Sequence, residues 1–169
     1  VNSAGPTGGE IVRPSDGKHP ENILFVLCCG SRDQRHSKFC SRFCCMYSIK
    51  HAYQALDHGV RNVDVLYMDV RAFGKGFDGF WTRTREEGAR FLRGRPSRIS
   101  PNGSSINVLY EDTTLGKRVE TKYDLVVLAN AVTPPASLKD LAGRLEVEVD
   151  SDGFIRSQEV EGALIRTSR

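Results

Sequence analysis

All five cysteines of this chain lie between Cys28 and Cys45, directly behind an apolar run, Ile23-Leu-Phe-Val-Leu27, and none lies elsewhere in the 169 residues. The run has the length and branching of a parallel strand buried on both faces. Any fold must therefore deliver cysteine side chains at the carboxyl end of a buried strand. A helix is expected from about Phe39 to His58, with Cys40, Cys44 and Cys45 opening it. On that helix Cys40 and Cys44 form an i, i+4 pair on one face, and Cys45 lies about 100° round from Cys44. Three sulfurs then converge on one point, and Cys28 or its neighbour Cys29 supplies a fourth from the strand end.

Four thiolates suit zinc or an iron–sulfur cluster about equally well. Structural zinc usually takes two short-spaced cysteine pairs on turns, whereas the spacing here has one long gap and two adjacent cysteines. That favours a cluster. Between Cys29 and Cys44 stand Arg32, Arg35, Lys38 and Arg42 against one acid, Asp33. Such cations offset the charge of an anionic thiolate–sulfide core. The alternative is a set of core or disulfide cysteines; adjacent cysteines rarely bond to each other, and reduced thiols suit a reducing compartment.

After the helix, Gly59 reads as its C′ residue and Val63–Met68 as a second strand, so the first three elements form a parallel βαβ unit. Ligands of such a unit sit beyond the strands' carboxyl ends. Those ends carry Cys28 and the turn Gly30-Ser31-Arg32, then Asp69-Val-Arg71. A second helix is expected from about Asp78 to Arg93, followed by strands at Ile99, Ile106–Tyr110, Arg118–Thr121 and Asp124–Ala129, with a hairpin turn at Thr113–Gly116. Residues 1–21, rich in Gly, Pro and Ser, read as an extended arm with turns at Gly8-Gly9 and Pro14–Gly17. The fold class expected is α/β: a three-layer Rossmann-like domain with a parallel βαβα core and a β-meander.

Gly74-Lys-Gly-Phe-Asp-Gly79 matches G-x-G-x-x-G between a strand and a helix, but it follows the second strand and lacks an acid about 20 residues on. It is read as a glycine-hinged loop. The turn after the first strand, where a nicotinamide nucleotide would need close backbone approach, holds cysteines and bulky cations instead. A net charge of +3 argues for neither nucleic acid nor a membrane surface, and no apolar run approaches the ~20 residues of a membrane span. A cytoplasmic piece of a longer, non-exported protein is the expectation.

Gly5-Pro-Thr-Gly-Gly9, Arg13-Pro-Ser-Asp-Gly17, Cys28-Cys-Gly-Ser-Arg-Asp33, Cys40-Ser-Arg-Phe-Cys-Cys-Met-Tyr47, Tyr67-Met-Asp-Val-Arg-Ala-Phe-Gly-Lys-Gly76 and Arg93-Gly-Arg-Pro96 together resemble the heterodisulfide reductase A-subunit family, the iron–sulfur flavoproteins of methanogens and sulfate reducers. The family's first motif reads Cys-Val-Gly-Ser-Arg-Asp, so the resemblance makes Cys28 the ligand and leaves Cys29 at a valine position. It implies one [4Fe–4S] cluster on Cys28, Cys40, Cys44 and Cys45. It also implies an FAD site completed by segments outside this chain, and a thioredoxin-reductase-like core in which electrons pass between flavin and clusters, in some members by bifurcation.

On the same basis residues 1–21 are a crossover arm, 22–130 the cluster-binding domain and 131–169 a partial return segment toward the flavin domain, with Asp150–Ile155 as a short hairpin. Gly30, Ser31, Arg32, Lys50 and Arg71 are the expected cofactor contacts. Lys50 is expected to face the flavin and stabilise negative charge on its reduced ring. The partners implied are other subunits of a reductase complex, B/C-like or hydrogenase-like, with a homodimer open for the full-length form. A zinc- or cluster-stabilised scaffold without catalysis is the alternative function.

Overall fold

The computed structural model describes residues 3–157, 159–161 and 164–167. Two compact units divide at Ala131/Val132. The first unit carries the Rossmann-like α/β architecture expected: β1 (Asn22–Cys29), α1 (Cys44–Asp57), β2 (Asn62–Tyr67), α2 (Phe77–Glu86), β3 (Arg90–Arg93), β4 (Pro96–Asn102), β5 (Ser105–Asp112), β6 (Lys117–Tyr123) and β7 (Leu125–Asn130). Strands β3-β2-β1-β7 form one parallel sheet, and β4-β5-β6 form an antiparallel meander.

Strand β1 is apolar throughout because both of its faces are covered. Ile23, Phe25 and Leu27 join one core with Ile49, Ala52 and Ala55 of α1, while Leu24 and Val26 join a second with Val108, Tyr110 and Tyr123 of the meander. That is the two-residue alternation of a central strand. Helix α1 ends where Gly59 takes φ +81°, a left-handed C′ residue whose N–H bonds to Leu56 O at 2.9 Å. The hairpin turn falls at 113–116, as expected. The N-terminal arm packs on this unit: Ile11 is buried in the helix-side core, and the Arg13 guanidinium donates to Ser104 O at 3.1 Å.

Two boundaries differ from the expectation. Helix α1 begins at Cys44 and not near Phe39, so Cys40 stands in the preceding loop and the i, i+4 pairing of Cys40 with Cys44 does not exist. The cause is local: Arg42 takes φ +70°, which breaks a right-handed helix before it can include Cys40. Helix α2 stops at Glu86, and the strand β3 follows it, paired in register with β2 from Asp64↔Arg90 to Tyr67↔Arg93. Gly88 at φ +112° turns the chain there.

On the meander side of the sheet Asp64 is fully buried. It accepts two hydrogen bonds from Arg90, at 2.7 and 2.8 Å, and one from the Tyr123 hydroxyl at 2.7 Å. A buried carboxylate needs such partners, and these come from β3 and β6, so one side chain ties both neighbours to β2.

In the second unit α3 (Leu138–Leu145) precedes a tight turn in which the Asp150 carboxylate accepts the N–H groups of Asp152 and Phe154, each at 2.9 Å. Val149 and Ile155 bridge across it, the short hairpin expected there. Strands β8 (Glu159–Glu161) and β9 (Leu164–Arg166) form an antiparallel pair. Among the described residues no helix is long and apolar enough to cross a membrane.

Candidate metal centre

The thiols gather at the carboxyl ends of β1 and β2, around the first turn of α1. Strand alternation would turn Cys28 toward the meander and Cys29 toward the helix. The observed sides are the reverse: Cys28 packs in the core that holds Cys44 and Cys45, and Cys29 packs with the meander. A β-bulge makes the switch, for the β1–β7 register shifts between Val26 and Cys29, and Cys28 takes φ +58°. Bulges re-aim side chains in this way beside functional sites. The Cys29 thiol instead donates to Val26 O at 3.3 Å.

Cys40 reaches the site through the loop. The N–H of Arg32 bonds to Phe39 O at 3.0 Å and that of Ser37 to Gly30 O at 3.0 Å, folding residues 30–39 into a compact turn. The Arg42 main-chain N–H then points at Cys40 Sγ, 3.4 Å away, and the Arg71 N–H points at Cys45 Sγ, 3.5 Å away. Cys28, Arg32 and Arg42 are three of the four non-glycine residues with positive φ among those described. Each left-handed residue costs about 1–2 kcal/mol, so the strain is concentrated in this cradle.

Burial raises the affinity of Cys28, Cys29 and Cys45 for their protons. It is the largest influence on Cys28, opposed by the Arg32 guanidinium and reinforced by Cys40. Burial likewise dominates at Cys45, offset by the Arg71 N–H and reinforced by Cys28, Cys40 and Cys44. Cys28 and Cys45 therefore hold their protons more tightly than free thiols do, and a bound cation would favour their thiolate forms. Among the described residues no three His, Cys, Asp or Glu side chains converge closely enough to hold a single metal ion.

Most of the other expected contacts lie around these sulfurs. Gly30 (φ +77°) and buried Ser31 form the turn, and Ser31 N–H bonds to Cys28 O at 3.3 Å. Arg32 and Arg71 converge on Asp69: Arg32 binds it through both terminal nitrogens, at 2.5 and 3.0 Å, and Arg71 Nε at 3.3 Å. These two arginines hold the Asp69 carboxyl below the usual carboxylate range, Arg32 first. The sequence places Asp69 at the carboxyl end of β2 beside Arg71, but does not show its pairing with Arg32 across the turn. Lys50 is the one expected site residue not at the sulfurs. It is exposed, on the wall of a groove of about 720 Å³ shared with Met46, Tyr47, Tyr53, Lys75 and Phe77.

A parallel β3-β2-β1-β7 sheet followed by a meander, with thiols beyond the carboxyl end of β1, makes this a Rossmann-like α/β domain. Its fold is similar to that of T. acidophilum thioredoxin reductase (TM-score 0.54, 18% identity, 88% of this chain and 41% of that one). A pyridine nucleotide-disulfide family oxidoreductase from Enterococcus faecalis is also similar (TM-score 0.51, 11% identity, 98% of this chain and 31% of that one). No family model matches the chain. In sequence it is 42% identical, over 99% of its length, to the iron-sulfur A subunit of the CoB–CoM heterodisulfide reductase of Methanocaldococcus jannaschii, and 45% identical, over 91%, to the second iron-sulfur A subunit of the Methanopyrus kandleri enzyme. It is 43% identical, over 92%, to the A subunit of the H2:CoB-CoM heterodisulfide,ferredoxin reductase of Methanothermobacter thermautotrophicus. The chain is thus similar, over nearly all of its own length, to heterodisulfide reductase A subunits, and it spans about a quarter of the length of these relatives, 26%, 24% and 24%.

Proposed function

We propose that this chain is the electron-relay part of an oxidoreductase subunit containing FAD and a [4Fe–4S] cluster, with Cys28, Cys40, Cys44 and Cys45 as the cluster ligands. The observation that carries this reading is the bulge in β1. It spends backbone strain to bring Cys28 onto the side of the sheet where Cys44 and Cys45 lie.

The residues fit such a group. Tetrahedral Zn–S bonds of about 2.3 Å hold four sulfurs roughly 3.8 Å apart, whereas a four-iron cluster takes each cysteine on a different iron and accepts a wider set. The main-chain N–H groups of Arg42 and Arg71 aim at two of the sulfurs, and hydrogen bonds to sulfur raise a cluster's potential. When bound, the cluster moves single electrons and the flavin moves pairs. The chain's own task is to position, shield and tune. Arg32 sits beside Cys28, and its pairing with Asp69 keeps it extended there.

Lys50 supports the flavin half of the reading. Its groove is mostly apolar and aromatic, with Lys50 and Lys75 as its cations, a lining suited to a flat ring that becomes anionic on reduction. Relatives whose names make them one lettered component of a heterodisulfide,ferredoxin reductase work within larger assemblies, so further subunits of a reductase complex are the proposed partners. A reducing, cytoplasmic setting suits these free thiols.

Anaerobic loading of the full-length protein with iron and sulfide tests the reading. The expected result is about four irons at this site, broad visible absorption that bleaches on reduction, and loss of both in Cys44→Ala. Colourless zinc at the same cysteines, with no reducible iron, would instead establish a structural scaffold.

A further inference from the structure

The turn between β1 and α1 holds one arginine in a backbone conformation that suits glycine. Arg32 takes φ +56°, and its main-chain N–H is fixed on Phe39 O at 3.0 Å. Its near neighbour Gly30 reaches φ +77° freely, having no Cβ, whereas the left-handed region strains any L side chain. A long cationic side chain kept at such a position needs contacts that offset the strain.

Two such contacts are present. The Arg32 guanidinium lies against the Cys28 thiol, near enough to donate to it. Its two terminal nitrogens also hold both oxygens of Asp69, at 2.5 and 3.0 Å, across 37 residues of chain. A planar fork bound at both tips keeps a single orientation. Asp69 follows β2, the strand that pairs with β1, and its Oδ1 accepts from Arg71 Nε as well, at 3.3 Å. The main-chain N–H of that same Arg71 points at Cys45 Sγ, 3.5 Å away.

One carboxylate thus anchors the two arginines whose donors face two of the sulfurs. A carboxylate has no proton to give a thiolate, so apart from its charge Asp69 acts on the sulfurs only through these donors. All of these residues belong to the first compact unit.

We propose that Asp69 is a positioning residue that sets the reduction potential of the cluster by holding the Arg32 guanidinium against Cys28. The proposal rests on the cluster reading above. Each one-electron reduction adds one negative charge to the cluster, and a cation fixed at a ligand sulfur stabilises the reduced form more than the oxidised one. The sign of the effect distinguishes positioning from plain charge. Removing a carboxylate for its charge alone favours the reduced cluster and raises the potential. Removing the anchor releases the guanidinium into water and lowers it. The second effect is the larger, because Arg32 lies against Cys28 while Asp69 stands one guanidinium further out, and Coulomb energy falls with distance.

The test is a redox titration of this cluster in the full-length protein, read from the visible bleaching that Cys44→Ala lacks. In Asp69→Ala the midpoint is expected to move to more negative values with iron per chain at the parent level, and Asp69→Glu, which keeps a carboxylate there, should return most of the shift. Arg32→Lys keeps the charge but loses the fork; it should move the midpoint the same way, and it carries the test if Asp69→Ala folds poorly. In an Arg32→Met background Asp69→Ala should add no further negative shift, the signature of a residue that acts through another. A midpoint unchanged or more positive in these single variants, or an equal negative shift with Arg32 already removed, overturns the positioning role. Failure of the parent protein to take up reducible iron overturns the cluster reading itself, and measuring the parent first separates the two failures.

Discussion

Cys28 and Cys29 are chemically identical neighbours that the backbone sends to opposite faces of the sheet. With the bulge, Cys28 packs beside Cys44 and Cys45 while Cys29 bonds to Val26 O. Cys28→Ala is therefore expected to lose the cluster's iron, and Cys29→Ala to keep it, as measured by iron per chain after anaerobic loading. The opposite result would assign the strand ligand to Cys29. Composition alone leaves both cysteines open, because a two-residue alternation continued from Leu27 points to the wrong one. A left-handed φ at a cysteine leaves no trace in the sequence; here the family pattern, with valine at the second position, carries the information. Asp64 is equally illegible: one acid inside Asn-Val-Asp-Val-Leu-Tyr gives no hint of Arg90 and Tyr123 closing on it. Tyr123→Phe removes one of its donors and should cost about 1–2 kcal/mol in chemical denaturation. A loss within error would show that a water replaces the hydroxyl.

Elements are legible where one periodicity holds for their whole length. Strand β1 as far as Leu27, helix α1 beyond Cys44, and β5 of the meander meet that condition, and Gly59 marks a helix end as its φ requires. Strand β3 fails it. Arg90-Phe-Leu-Arg93 is four residues long, edges the sheet and keeps its arginines exposed, so its two apolar residues read as a continuation of the Phe80, Trp81 and Thr84 helical face. Just beyond it, Gly94 passes so near the meander that an added Cβ would lie 2.2 Å from Glu111 O, a backbone atom that cannot swing aside. Gly94→Ala should thus destabilise the fold by roughly 3 kcal/mol or more, read as a lowered denaturation midpoint. The connection from β1 to α1 sets the element-scale functional prediction. Residues 30–43 intervene before the helix, and α1 opens without a capping side chain. Pyrophosphate recognition needs a short glycine turn leading straight into a helix N-terminus. NADPH is expected to show no saturable binding at micromolar concentration by calorimetry; a defined isotherm would refute the exchange of nucleotide site for thiols.

At the scale of the whole molecule the first turn of α1 is the junction. Cys44 and Cys45 lie in that turn and the Lys50 groove is lined by residues further along the helix, so one helix connects the proposed one-electron site with the surface proposed for a two-electron cofactor. Spacing puts Lys50 on the right helix, but its relation to Lys75, Phe77 and Phe80 depends on α2 packing beside α1, which no local pattern encodes. If the groove receives the flavin, the cation stabilises the anionic reduced ring more than the neutral oxidised one. Lys50→Met keeps the aliphatic stem against Met46 and Tyr53 and removes only the charge. In the full-length protein the flavin midpoint should then move to more negative values, on the order of tens of millivolts, and its pH dependence should change, while iron per chain stays at the parent value because Lys50 touches none of the sulfurs. The competing account is a lysine that carries its charge from an amphipathic helix into water; in that case neither the midpoint nor its pH dependence moves, and Lys50 has no part in the electron transfer.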